Sequence, residues 1–275
     1  MAEIVRYDGY DAAALSALLR VPRVVVFDST ASTMDDAHER AAVGAPAGTV
    51  VLADRQTAGR GRAGRHWASD SGHGIWMTVI ERPNDVAAVE VLSIRLGLKA
   101  ARVLDRYATE AVRIKWPNDL FVAKGKVAGI LVEARWRARR IDWVSIGVGV
   151  NLRAPTGVAT AAGLDPAAPR VEVLAELVAA VRAAAAGRSV LTASELEEFA
   201  SRDFSAGRPC IEPAAGVVRG ITAAGELLVD TASGVRSFRD GSLIFSGPLL
   251  LVYTTETVTS PPGGTVTVCA SELGM

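Results

Sequence analysis

The sequence predicts an α+β protein: a mixed β-sheet with flanking helices, followed by a small C-terminal β barrel. Before residue 207, short β-branched runs alternate with segments whose apolar residues recur at helical spacing. After Gly207, short apolar runs alternate with glycines, a spacing typical of a small antiparallel barrel. The 275 residues leave room for one large and one small domain.

The part of the chain before the barrel alternates between helices and strands. The predicted helices are Asp11–Arg20, one starting at Ser32 or Thr33, Ala88–Tyr107, Val171–Ala186 and Ala193–Phe204. The predicted strands are Val24–Phe27, Thr49–Ala53, Ile75–Ile80, Val112–Trp116, Leu120–Val122, Val127–Arg135 and Ile141–Asn151. Glycines inside the last strand, Gly147 and Gly149, indicate close approach of a backbone or a ligand.

The helix start at Ser32 and Thr33 directly follows a strand. A hydroxyl oxygen there can cap the helix, and Asp35 and Asp36 favour the positive end of its dipole. The segment is therefore either a cap alone or a helix end that faces a ligand.

We place a domain boundary near residue 207, which gives a first domain over 1–206 and a small β domain over 207–248. Residues 249–275 are rich in threonine and glycine and are predicted to form a disordered tail.

Composition excludes several classes of protein. The formal net charge is zero and aromatic residues make up 5%, which argues against a nucleic-acid binder. The two cysteines, Cys210 and Cys269, form no CxxC pair and fit a reducing compartment. Because the chain shows neither a signal peptide nor an apolar run of membrane length, we expect a cytoplasmic protein without membrane contact.

Several familiar catalytic motifs are missing. The chain has no GxxxxGK[ST] phosphate loop and no GxSxG nucleophile elbow. The run Gly147–Leu152 lacks the third glycine of a dinucleotide fingerprint. His38, His66 and His73 have no acidic or cysteine partner at metal-ligand spacing, so we predict no metal site built from protein side chains alone.

The most unusual stretch is Gln56–Trp76. Counting Arg55 just before it, four arginines and three glycines lie within Arg55–Arg65. Glycine lets a backbone approach a ligand closely, and guanidinium groups pair with carboxylate or phosphate. Taken alone, the stretch is either an anion-binding loop or a flexible basic surface loop. Predicted strands at both ends favour the first interpretation.

Four sequence blocks together resemble the biotin–protein ligase family. They are Gln56–Trp67, Lys115–Asp119, Lys126–Glu133 and Gly147–Asn151, in family order and spacing, and the resemblance covers roughly residues 24–152. It implies a catalytic domain like that of class II aminoacyl-tRNA synthetases and an SH3-like C-terminal barrel. The 23 residues before the first core strand are too few for a winged DNA-binding domain, so we expect the single-function form.

The resemblance also implies a two-step reaction. ATP, with Mg²⁺, activates biotin to biotinyl-5′-AMP, and a lysine of a biotin carboxyl carrier protein then takes the biotin. A monomer or homodimer is expected. Because the first step joins two anions, positive groups must offset their repulsion; Arg60, Arg62 and Lys126 are implied to be these catalytic residues.

The remaining site residues are carried over position by position from the resemblance. The implied biotin-binding residues are Ser32, Thr33, Gln56, Gly59, Arg60, Gly61, Arg62, Lys126 and Gly129. The implied ATP-binding residues are Arg62, Trp67, Asn118, Lys126 and Asn151. Met34 stands where many relatives carry asparagine. Two alternatives are a lipoate–protein ligase and, in a different class, a non-catalytic RNA-binding module.

Overall fold

The computed structural model describes residues 5–246 except 84, 138 and 139. The predicted tail over 249–275 lies outside the described residues. In chain order, the helices and strands of the described part are α1 (Ala12–Leu19), β1 (Val24–Thr30), α2 (Thr33–Ala42), β2 (Thr49–Gln56), β3 (Gly74–Glu81), α3 (Leu92–Leu104), β4 (Arg113–Lys115), β5 (Asp119–Val122), β6 (Gly125–Arg137), β7 (Arg140–Asn151), α4 (Arg170–Ala185), α5 (Ala193–Arg202), β8 (Pro209–Glu212), β9 (Gly216–Ile221), β10 (Leu227–Thr231), β11 (Gly234–Phe238) and β12 (Ile244–Phe245).

A seven-stranded mixed sheet organises the chain up to β7. Its strand order is β1-β2-β3-β7-β6-β5-β4, in which β1 and β2 are parallel and the other neighbouring pairs are antiparallel. The mixed sheet and its flanking helices confirm the predicted fold class. Helix α3 is shorter than the predicted Ala88–Tyr107, because its first turn is a separate 3₁₀ turn over Ala87–Val89.

The two faces of this sheet have different partners, because successive side chains of a strand point to opposite faces. On one face, Ile75, Met77 and Val79 of β3 join the main hydrophobic core with residues of α1, α3 and α4. On the other face, α2 packs Ala37 and Ala41 into a smaller cluster with β2 and β3. Since α2 is short, part of this second face stays uncovered beside its N-terminal end.

The chain after residue 207 forms a second, antiparallel sheet of order β11-β10-β9-β8-β12. Its buried residues Cys210, Leu227 and Val229 belong to the same hydrophobic cluster as the main sheet. The indole N–H of Trp116 donates to the carbonyl of Gly225 at 3.0 Å across the junction. The two sheets therefore share one core; the domain boundary at 207 and the closure of the second sheet into a barrel stay predictions.

Candidate active site

A narrow cleft opens on the face of the main sheet beside the N-terminal end of α2. Strands β3, β6 and β7 form its floor, and the chain between β2 and β3 covers it. Every predicted site residue except Gly59 and Asn151 lines this cleft. Those residues are Ser32, Thr33, Gln56, Arg60, Gly61, Arg62, Trp67, Asn118, Lys126 and Gly129.

The segment over the cleft is an ordered hairpin, which we call the arginine–glycine hairpin (residues 59–67). Its two limbs are joined by hydrogen bonds from Trp67 N to Gly59 O at 2.9 Å and from Gly61 N to Arg65 O at 2.8 Å. A Cβ at Gly59 would lie 2.4 Å from the carbonyl oxygen of Trp67, so only glycine permits this pairing. Of the two interpretations of this stretch, the structure thus favours a built loop over a loose one.

The floor of the cleft carries a strip without side chains. Gly129 of β6 lies opposite Gly149 of β7, and Gly149 lies opposite Trp76 of β3. The indole of Trp67 rests on this strip: a Cβ at Gly149 would lie 2.6 Å from it and a Cβ at Gly129 would lie 2.9 Å from it. The close approach predicted from the glycines of β7 is therefore that of the Trp67 ring at Gly149 and that of the Met34 side chain at Gly147.

The end of the cleft at α2 is lined by a chain of polar groups. Ser32 caps the helix, its Oγ accepting from Met34 N. The Oε1 atom of Gln56 accepts from Thr33 N at 2.9 Å and from its hydroxyl at 3.1 Å. The amide nitrogen of Gln56 donates to the Ser69 hydroxyl at 2.8 Å. These bonds fix Gln56 between the helix and the covering segment.

Two cations reach the cleft from different sides. Lys126 Nζ lies 2.7 Å from Asp119 Oδ1 and 5.0 Å from the centre of the Trp67 ring. Arg62 is half-buried and donates from Nη1 to Asn118 Oδ1 at 3.4 Å.

Burial lowers the pKa of Arg62, Arg65 adds to the decrease, and the negative charges of Asp119 and Asp240 oppose it. Among the described residues, neither carboxylate comes close enough to Arg62 to form an ion pair, and its polar contact is Asn118. Because a desolvated guanidinium without a direct ion-pair partner is costly, this group is suited to receive an anion.

Arg60 has the opposite surroundings. Its guanidinium forms ion pairs with Asp35 of α2 and with Glu133 of β6, the latter at 2.7 Å. Both terminal nitrogens are therefore engaged by carboxylates of the protein.

Residues 26–151 match the model of the biotin/lipoate A/B protein ligase family, a range that includes the hairpin, the glycine strip and both cleft cations.

Residues 26–151 form a domain of this family.

The ligase-family domain also has curated relatives. The chain is 38% identical over 130 residues to the bifunctional ligase/repressor BirA of Bacillus subtilis, which is 47% of this chain and 40% of that protein. It is 40% identical over 136 residues to biotin–[acetyl-CoA-carboxylase] ligase of Mycobacterium tuberculosis, which is 46% of this chain and 48% of that protein. The matches thus span less than half of these relatives' own length.

A solved structure extends the likeness beyond the ligase-family domain. Biotin protein ligase from Aquifex aeolicus, in complex with biotin and ATP, superposes with a TM-score of 0.66 at 24% identity. The superposition covers 81% of this chain and 99% of that chain. At this identity the likeness establishes the fold.

Asn151 lies beside the cleft of the ligase-family domain rather than in it. Its buried amide nitrogen donates to the carbonyls of Lys126 at 3.3 Å and Ala162 at 3.2 Å. It thereby ties the strand that carries Lys126 to the segment after β7. It also borders a second pocket on the far side of Trp67. Its predicted contact with a nucleotide stays a prediction.

Sequence reasoning missed three polar residues around the cleft. The hydroxyl of Thr78 lies 2.9 Å from that of Thr33. Asp119 forms an ion pair with Lys126, and Glu133 forms one with Arg60. A threonine inside the apolar run of β3 was the available signal for Thr78. The carboxylates depend on strand register, which spacing alone does not give.

Among the described residues, no three or more His, Cys, Asp or Glu side chains come together in a way that could hold a metal ion. Within the same residues, none of the helices combines the length and the apolar character that crossing a bilayer requires.

Proposed function

We propose that the protein is an ATP-dependent biotin–protein ligase that forms biotinyl-5′-AMP and transfers biotin to a lysine of a biotin carboxyl carrier protein. The observation that carries the proposal is Arg62, a half-buried guanidinium that forms no direct ion pair among the described residues, in one cleft with Lys126. The name of the Mycobacterium tuberculosis relative supports biotin as the acid.

In the first step, a carboxylate oxygen of biotin attacks the α-phosphorus of ATP. The bond from that phosphorus to the oxygen bridging to the β-phosphate breaks, and pyrophosphate leaves. Arg62 and Lys126 offset the repulsion of the two anions and the charge of the transition state. Lys126 is aimed by Asp119, so its charge is held in place rather than free to swing.

In the second step, the neutral amine of the acceptor lysine attacks the acyl carbon of the mixed anhydride. The bond to the phosphate oxygen breaks, AMP leaves, and the amine proton passes to solvent. No enzyme nucleophile is required. The arginine–glycine hairpin over the cleft would keep water from the anhydride until the acceptor arrives.

Mg²⁺ would enter with the nucleotide. It binds proteins through one or two carboxylates and completes its shell with phosphate oxygens and water. Asn118, which lines the cleft, and Asp119, which pairs with Lys126, offer an amide oxygen and a carboxylate, a donor set that fits this mode. The ion would supply charge neutralisation at the phosphates.

The Thr33–Gln56–Ser69 chain would receive the polar ureido end of biotin, with the glycine strip beside its rings. We propose a cytoplasmic location, a monomer or homodimer, and no nucleic-acid partner. Zero net charge is consistent with the last point.

The test is pyrophosphate release from ATP by the purified protein with biotin or with lipoate, followed by addition of a biotin carboxyl carrier domain. We expect release with biotin and label on the carrier lysine. Release with lipoate alone would make the protein a lipoate–protein ligase. No release with either acid, together with tight binding of RNA oligonucleotides, would support the RNA-binding alternative.

A further inference from the structure

A line of four side chains leads from the half-buried Trp143 to the arginine–glycine hairpin. Arg60 Nη2 donates to Glu133 Oε1 at 2.7 Å, and the other oxygen of Glu133 lies 2.9 Å from Nε2 of His38. The indole N–H of Trp143 meets Nδ1 of His38 at 2.9 Å. The line therefore runs from Trp143 through His38 and Glu133 to Arg60.

The protonation of His38 follows from its partners. An indole N–H can only donate, so Nδ1 of His38 accepts and carries no proton. The proton of the neutral ring is then on Nε2 and is donated to Glu133. This bond leaves the remaining oxygen of Glu133 directed at Arg60. The imidazole thus sets the orientation of the carboxylate that holds the hairpin.

We propose that His38 and Glu133 are positioning residues that hold Arg60, and with it the arginine–glycine hairpin, over the cleft. The proposal deepens the proposed function, because it rests on that cleft being the ligase site. In this arrangement, Arg60 anchors the arginine–glycine hairpin over the cleft, whereas Arg62 remains available to bind the substrate anions.

The elements that bear these residues make them an effective anchor. Glu133 lies on β6 at even spacing from Gly129 and Leu131, so it projects from the same face as the cleft floor. Asp35, the second partner of Arg60, lies in the first turn of α2. Arg60 thereby connects the arginine–glycine hairpin to a central strand and to the helix at the polar end of the cleft.

Burial distinguishes the inner part of this line from an ordinary surface ion pair. Exposed pairs contribute little, because water competes with them. Here the side chain of His38 is 11% exposed and that of Glu133 is 20% exposed, whereas that of Arg60 is 40% exposed. A charge-assisted bond that is shielded on its inner side holds its geometry better than a pair of free surface chains.

The first arm of the test measures opening of the hairpin without any substrate. Trypsin cuts after arginine, and the hairpin carries Arg62 and Arg65. We expect Glu133→Gln and His38→Phe to raise the initial rate of cleavage in the hairpin about tenfold, because losing one charge-assisted bond shifts an opening equilibrium by about that factor. Glu39→Gln, on the same helix and exposed, is the control and should be cleaved at the wild-type rate.

The second arm measures retention of the adenylate. After synthesis from ATP and biotin, Glu133→Gln should release biotinyl-5′-AMP about tenfold faster, with pyrophosphate formation at saturating substrate within about twofold of wild type. Glu133→Asp should restore part of the retention, which a merely structural carboxylate would not do. Asp35→Asn removes the other ion pair of Arg60 at a half-exposed site. It therefore tests the same anchoring of the hairpin if Glu133→Gln fails to fold.

The two arms separate the two proposals. Wild-type cleavage rates and wild-type retention in folded Glu133→Gln or Asp35→Asn would overturn the positioning role, even if pyrophosphate appears. If the variants are cleaved faster but the wild type releases no pyrophosphate with biotin, the positioning role of Glu133 and His38 would stand. The proposed ligase activity would then be overturned.

Discussion

Arg60 and Arg62 are two residues apart in one glycine-rich hairpin, yet their guanidinium groups have opposite surroundings. Arg60 is held by Asp35 and Glu133, whereas the polar contact of Arg62 in the described structure is the neutral amide of Asn118. The local sequence treats them alike, because each follows a glycine. Their different roles come from the elements that the hairpin crosses.

Arg62→Ala should therefore be the more damaging of the two for adenylate formation. Removing one preorganised positive donor from a developing anion costs roughly 10²–10³ in rate. The measurement is initial pyrophosphate release with ATP and biotin, with Arg23→Ala, an exposed arginine at the start of β1, as the control. A rate for Arg62→Ala within threefold of the control, about 0.7 kcal/mol, would remove Arg62 from the reaction.

The stability of the folded protein is expected to depend on pH through the pKa of His38. Burial lowers it below the ordinary 6.5, with Arg135 and Arg60 adding to the decrease and Glu133 opposing it. The folded protein thus binds fewer protons than the unfolded chain between the lowered pKa and 6.5. Stability contributed by neutral His38 is then complete above 6.5 and declines as pH falls through that window.

We expect the free energy of unfolding of the wild type to fall more steeply than that of His38→Phe between about pH 7 and about pH 5. Protonation would place a second N–H against the indole of Trp143 and break the bond at Nδ1. Urea unfolding at several pH values measures the difference. Parallel curves for the two proteins would mean that His38 does not titrate in this window.

At the scale of elements, the glycine strip of β6 and β7 determines the depth of the cleft. Gly149→Ala would place a methyl group 2.6 Å from the Trp67 ring, which must then move. We expect the affinity for biotin to fall by roughly 1–3 kcal/mol, the usual cost of overpacking. Calorimetric titration of biotin measures this.

Gly97→Ala is the matched control, since its added methyl would meet its nearest neighbour at 3.8 Å, an ordinary contact. It should bind biotin as the wild type does. Unchanged affinity in Gly149→Ala as well would show that the strip is not part of the biotin site.

The elements themselves were largely predictable from the sequence. Apolar periodicity and turn residues located each strand of the main sheet, since burial on one face leaves a regular pattern. The order β1-β2-β3-β7-β6-β5-β4 was not predictable, because it depends on which edges meet in space. Arg137 and Gln56 also extend their strands beyond the predicted ends, where polar residues continue a ladder whose partner strand is present.

Site residues that belong to a recognisable sequence motif were predictable. Residues that reach the site only through strand register were not. Lys126 and Arg62 lie in conspicuous blocks and both line the cleft. Glu133 and His38 are separated by 95 positions, and their contact exists only because α2 lies on the face from which β6 projects its odd-numbered side chains. Asn151 shares the face of Gly149 but ends β7 opposite Gly74, so its position at the end of the floor, beyond Trp67, also follows from register.

At the scale of the whole molecule, the shared core makes the two sheets one unit. Leu227 of β10 is fully buried in the cluster that also contains Trp116 of the main sheet. Leu227→Ala should lower the free energy of unfolding by roughly 2–5 kcal/mol. Because both sheets depend on this cluster, differential scanning calorimetry should show one transition that moves as a whole.

A second peak that keeps its wild-type temperature in Leu227→Ala would contradict this expectation. It would mean that the boundary predicted at residue 207 separates two independently folding domains.

The resting place of Trp67 has an optical consequence. Its indole lies on bare backbone, 5.0 Å from the ammonium of Lys126 and with its ring centre 6.4 Å from that of Trp76. The fluorescence of an indole so close to a charge and to a second indole depends on how these groups are arranged. Any molecule that enters the cleft or lifts the cover alters that arrangement. The difference in emission between the wild type and Trp67→Phe would thus follow binding in real time, in unlabelled protein.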